Sequence, residues 1–257
     1  MATLNAVALG PTSYRDGLRL QEALVRARVE GRERGERADW LLFPDHPPVL
    51  TVGRSARDLK LRVPEAALAE RGLEVFDVAR GGDITWHGPG QLVGYPICDL
   101  DSLGHDLHRF LRELEQVMLD LAARWNIEAR RVAGRTGIWA GGDKLASIGV
   151  AVRRWVTYHG FALNVCPDLS DFELIDPCGL EGVRMTSMER LLGPGAPALS
   201  AVRNAAAESL AGRLGYAELQ WVPAAEAWRK AEETPWPGAR GDASGIEASN
   251  GLESPAA

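Results

Sequence analysis

Apolar residues at Leu107, Leu111, Leu114, Val117, Met118, Leu121 and Trp125 recur every three to four positions. That is the period of a helix with one buried face, and it is the strongest periodic signal in the chain. Thr12 and Ser13 followed by Asp16 read as a helix start, with Leu18, Leu24, Ala27 and Val29 on one face and an end near Gly31. Short strands are expected at Trp40 to Phe43 and Val49 to Val52, joined by a turn through the proline-rich PDHPP. A short helix over 64–71 precedes strands at Leu73 to Val78 and Gln91 to Ile97. A dense β region follows at 137–140, 144–152 and 156–165, the last two joined as a hairpin through Arg153, Arg154 and Trp155. Segments 186–192, 200–214 and 224–231 read as helices.

No fixed repeat and no linker divides the chain. The pattern predicts one α/β (α+β) domain over residues 1–235, a mixed β-sheet flanked by helices. Residues 236–257 have almost no apolar content and are expected to form a disordered tail. The 46% hydrophobic and 25% charged content is that of an ordinary globular protein. A net charge of −6 offers no global attraction to nucleic acid. Cys98, Cys166 and Cys178 are too few and too scattered for a disulfide framework, and no CxxC pair offers a zinc site. No basic leader followed by an apolar core opens the chain, and no apolar run reaches a membrane span, so a cytoplasmic location is expected.

Three segments carry candidate chemistry. In IDPCGL, Cys178 lies between Pro177 and Gly179, on a constrained turn beside an open backbone. In GGDKLAS, Lys144 stands between a Gly-Gly turn and an alternating run. A thiol is mostly protonated at neutral pH and needs a cation or base nearby to attack efficiently, a part Lys144 can take. On these two segments alone, a buried cysteine and a solvated lysine is the simpler reading. In RGGDITWHGPGQLVGYPI, Gly81 and Gly82 permit close approach of a ligand to the main chain, and alternation puts Thr85 and His87 on one face of a strand. The glycine spacing fits neither a dinucleotide fingerprint nor a P-loop. His159 precedes Gly160, whose missing side chain is expected to leave space over the sheet. By itself His159 reads as a satisfied core histidine, and His46 as a structural residue of its turn.

Together, RGGDITWHGPGQLVGYPI, DKLASIGV, HGFALNV and DPCGL, preceded by HPPVLTVGR, closely resemble the lipoyl(octanoyl) transferases in order and spacing over roughly residues 14–220. Trp86 stands where that family usually carries tyrosine or another aromatic. The resemblance implies a biotin/lipoyl protein ligase-like fold and a Cys178–Lys144 dyad. It also implies an acyl site formed by Arg80, Gly81, Gly82, Asp83, Ile84, Thr85, Trp86, His87, Ser147, Ile148, Gly149, Gly160, Phe161 and Ala162. No cofactor and no metal are implied. The implied reaction moves an octanoyl group from octanoyl-acyl carrier protein to a lysine of a lipoyl domain, through a cysteine thioester, as the first step of endogenous protein lipoylation. The acceptors would be lipoyl domains of 2-oxoacid dehydrogenase complexes and the glycine cleavage H protein; neither nucleic acid nor membrane is a partner. Three other readings compete: an ATP-dependent lipoate or biotin ligase on the same fold, a cysteine hydrolase pairing Cys178 with His87 or His159, and a non-catalytic binder.

Overall fold

The computed structural model describes residues 2–56, 61–175 and 183–233. Cys178 and the expected tail lie outside these.

An eight-stranded sheet forms the centre, in the order β11 (Glu218–Trp221), β1 (Thr3–Pro11), β2 (Ala38–Asp45), β6 (Gln91–Ile97), β10 (Val156–Asn164), β9 (Asp143–Arg153), β8 (Arg135–Ala140), β7 (Ala129–Val132). It is mixed, because β1 runs parallel to both β2 and β11 while β2–β6, β6–β10 and β9–β10 pair antiparallel. A separate three-stranded sheet has the order β4 (Glu74–Asp77), β3 (Val49–Val52), β5 (Ile84–His87). The proline-rich turn after β2 therefore transfers the chain from one sheet to the other.

Helices cover both faces of the large sheet, since each face buries apolar side chains that require a partner layer. Helix α3 (Leu107–Arg124) turns Phe110, Leu114, Val117, Met118 and Leu121 into one core, where α5 (Leu199–Leu214) joins it with Val202, Ala206 and Leu210. Helix α1 (Tyr14–Glu33) covers the opposite face with Leu20 and Leu24, helped by α6 (Ala224–Glu232). Ser13 caps α1 by accepting the Asp16 N–H bond. Arg28 and Arg32 of α1 pair with Asp39 and Asp99, fastening the helix to the sheet. The short helices α2 (Glu65–Glu70) and α4 (Met188–Leu192) lie near the small sheet and ahead of α5. A third apolar cluster joins Leu50, Leu68 and Trp86 to Phe172 and Ile175.

The expected helices and strands form, but β1, β7 and β11 have no counterpart in the sequence pattern. The last two are short edge strands, ARRV and ELQW, with little buried surface. β1 buries Leu4 to Val7 in an unbroken row between two neighbours, so its side chains do not alternate apolar with polar.

Candidate active site

The turn at Arg80 to Asp83 clasps the two sheets together. The Gly81 N–H donates to Val150 O on β9, while Arg80, Gly82 and Asp83 carbonyls accept from Arg54, Ser55 and Gly53. The approach is so close that a Cβ on Gly149 would stand 2.8 Å from Gly81 O, and one on Gly53 only 2.4 Å from Gly82 O. Gly82 has φ +85°, a conformation that favours glycine. The Arg80 guanidinium is buried beneath this turn and donates to Thr51 O at 2.6 Å and Thr51 Oγ1 at 2.8 Å. Arg80 therefore anchors the turn as well as facing the cavity.

Between this clasp and the β9–β10 hairpin lies a cavity of about 540 Å³. Its lining brings together Arg80, Gly81, Gly82, Asp83, Ile84, Thr85, His87, Lys144, Ser147, Ile148, Gly149, Gly160, Phe161 and Ala162. Trp86 is not among the lining residues. Its ring turns to the other side of β5, 1% exposed, and packs edge-on against Phe172 at 5.3 Å. Strand alternation causes the split: Thr85 and His87 face the cavity and Trp86 the third core.

Lys144 is 3% exposed, which overturns the solvated reading. Its Nζ lies 5.2 Å from the centroid of the Trp139 ring, a cation–π contact from the neighbouring strand. Its backbone is held on both sides, the N–H donating to Arg184 O at 2.8 Å and the carbonyl accepting from Thr186 N at 2.9 Å. Gly137 has φ +120°, and a Cβ there would lie 3.1 Å from Lys144 Cε, so this glycine leaves room for the lysine stem.

Gly160 serves a purpose other than the expected opening over the sheet. A Cβ there would meet Gly94 O at 2.2 Å, so the glycine lets β10 approach β6. His159 is buried on the cavity with φ +55°, and its Nε2 has no hydrogen-bond partner among the described residues, so within them it is not a fully satisfied core histidine. Burial pushes the pKa of both His87 and His159 down to about 3, with Gln91 opposing the effect at His87 and Arg80 adding to it at both. His46 is structural, bonding Thr12 O and the Tyr95 hydroxyl at 2.8 Å each. Cys98 is buried, whereas Cys166 is exposed just beyond β10.

Sequence reasoning missed Tyr14, Tyr95, Leu107, Leu111 and Thr136 as lining residues. Leu107 and Leu111 were legible only as one face of α3, because periodicity does not reveal that the first turn of a helix overhangs a cavity. Arg135 also borders the cavity. Arg153 lies nine residues along β9 from Lys144, about 30 Å at the usual strand rise.

The architecture is that of lipoate ligases. The chain overlays on a structure titled lipoate-protein ligase A bound with ATP with a TM-score of 0.70, at 16% identity and covering 91% of this chain and 94% of that one. Ta0514, a putative lipoate protein ligase from T. acidophilum with bound lipoic acid, gives a TM-score of 0.68 at 16% identity, covering 91% and 94%. Residues 13–211 match the lipoyl protein ligase A/B catalytic domain, and the chain belongs to that family. Its relatives named octanoyltransferase include one from Geobacter sulfurreducens, 50% identical over 190 residues (74% of this chain, 76% of that one). Another, from Geobacter metallireducens, is 46% identical over 208 residues (81% and 90%). Among the described residues no helix is long and apolar enough to cross a membrane.

Proposed function

We propose that this protein is an octanoyltransferase of protein lipoylation, working through Cys178 and Lys144. The observation that carries the reading is the buried Lys144 at one wall of a cavity that also has apolar walls, Ile148, Phe161, Ala162, Leu107 and Leu111, suited to an alkyl chain. Burying the seven carbons beyond an octanoyl carbonyl contributes at most roughly 5–6 kcal/mol, at about 0.8 kcal/mol each. Arg184, whose carbonyl accepts the Lys144 N–H bond, follows Cys178 by six residues, and that length of chain spans at most about 20 Å.

The Cys178 thiolate attacks the carbonyl carbon of the donor thioester. A new S–C bond forms, and the donor thiolate leaves and takes up a proton. The acceptor lysine amine then attacks the acyl-cysteine, forming the amide. Its proton passes to neutral Lys144 as the Cys178 thiolate departs. A thioester intermediate keeps the acyl group activated without ATP. The donor in this reading is octanoyl-acyl carrier protein and the acceptor a lipoyl domain, of 2-oxoacid dehydrogenase complexes or the glycine cleavage H protein.

Two observations weigh against the competing enzymes. His87 and His159, with pKa values near 3, are weak bases at neutral pH, which disfavours a cysteine–histidine hydrolase. The ATP-bound neighbour shares only 16% of its residues with this chain, whereas the octanoyltransferase relatives reach 50%.

Intact mass after mixing with octanoyl-carrier protein tests the reading. An octanoyl adduct mapped to Cys178 and lost in Cys178→Ser is expected; an adduct on Cys98 or Cys166 instead overturns the cysteine assignment.

A further inference from the structure

We propose that Gln91 and Asn164 are positioning residues that hold His87 in a single tautomer, so that its Nε2 presents a fixed lone pair to the attacking amine. The inference rests on the acyl-transfer reading above and adds to it a group for the second half-reaction.

The tautomer follows from two backbone carbonyls. Gln91 Nε2 lies 3.3 Å from Trp86 O and 2.9 Å from Asn164 Oδ1. Asn164 Nδ2 lies 3.0 Å from Thr186 O. A carbonyl can only accept, so the NH₂ end of each amide must face its carbonyl, and neither amide can be turned over without setting two acceptors against each other. The oxygen of Gln91 is thereby directed to His87 Nδ1 at 2.7 Å, and Nδ1 must carry the proton. Nε2 is the remaining ring nitrogen of a residue that lines the cavity. Gln91, Asn164 and Thr186 are all buried, so water does not offer the amides substitute partners. The chain of bonds ends on the catalytic candidate itself, because Thr186 N donates to Lys144 O.

The groups around the ring favour the neutral form. Tyr14 stacks over it at 6.3 Å, His46 lies at 6.4 Å, and Arg80 and His159 share the cavity. A neutral, weakly basic nitrogen is an acceptor of hydrogen bonds rather than of protons. An acyl thioester has no N–H or O–H at its reacting carbon, so the donor that Nε2 serves is the amine that attacks it. Lys144 takes the proton released, while His87 holds an N–H that the amine keeps.

The test combines nitrogen-15 NMR of the imidazole, recorded without substrate, with separate assays of the two half-reactions. At neutral pH the native ring is expected to carry its proton on Nδ1 with Nε2 bare. Gln91→Glu sets a carboxylate against Nδ1 and favours the doubly protonated ring. Acylation of Cys178 should then stay within about twofold of native, while transfer to the acceptor amine falls at least tenfold. A native ring protonated on Nε2 overturns the proposal, as does a Gln91→Glu protein in which both half-reactions fall equally. Because the NMR arm needs no turnover, native protein with the Nδ1–H tautomer but no octanoyl adduct would overturn the cysteine route and the amine role while leaving the tautomer assignment intact.

Discussion

In the mechanism we propose, Lys144 acts twice with opposite charge. As an ammonium it favours the Cys178 thiolate for the first attack; as a neutral amine it accepts the proton of the second nucleophile. The Trp139 ring faces Nζ as a cation–π partner. Arginine keeps the charge but does not deprotonate in proteins. Lys144→Arg should therefore still load an octanoyl group onto Cys178, slowly, yet fail to pass it on, whereas Lys144→Ala should be impaired in both steps. Single-turnover assays check this: transfer by Lys144→Arg at the native rate would reduce Lys144 to an electrostatic partner. The burial of this side chain was not legible in the sequence. A lysine after a Gly-Gly turn reads as solvated, and only Gly137, a strand away, shows that the interior has room for it.

At the scale of elements, the glycines of the clasp are not equivalent. A Cβ on Gly81 would meet only Val150 O, at an ordinary 3.7 Å, whereas one on Gly149 presses on Gly81 O and the Arg80 stem. Gly81→Val should fold normally and lose affinity for the acyl chain. Gly149→Val should lose stability by a few kcal/mol, the usual cost of overpacking, about 1–3 kcal/mol or more. Paired denaturant melts and acyl-chain kinetics check the contrast; equal stability loss in both variants would mean that the clasp does not control the approach. The strand Gln91 to Ile97 and the helix from Leu107 were legible because each buries one continuous pattern. Thr85 and His87 were placed on the cavity side by simple alternation. Trp86 was assigned to the acyl site through the family motif, yet the same alternation turns it into the core. β7 and β11 escaped because an edge strand needs only its backbone paired, leaving side chains free of pattern.

For the whole molecule, burying neutral histidines links stability to pH. His87 and His159 have folded pKa values near 3 against about 6.5 when unfolded. Between those values the unfolded chain binds protons that the folded one does not, so stability must fall as pH drops below about 6.5. Each histidine contributes up to about 1.4 kcal/mol per pH unit, a slope approached only well below its unfolded pKa, so the pair should cost about 3 kcal/mol between pH 6.5 and 5. Urea titrations across this range check the sign and size, and His159→Asn should flatten the slope; a native profile level from pH 7 to 5 would contradict it.

The position of β1 also governs how the chain can reach this structure. Thr3 to Ala6 pair with Glu218 to Trp221, so β1 waits for a partner made 215 residues later in the chain. Until then, β1 carries an open row of amides and carbonyls beside apolar Leu4, Ala6 and Val7, the form of edge that recruits other strands. Pairings so distant in sequence also slow folding, because the loop they close must be ordered first. Chains halted during synthesis before Glu218 should therefore be the aggregation-prone species, and completion of β11 the event that ends their vulnerability.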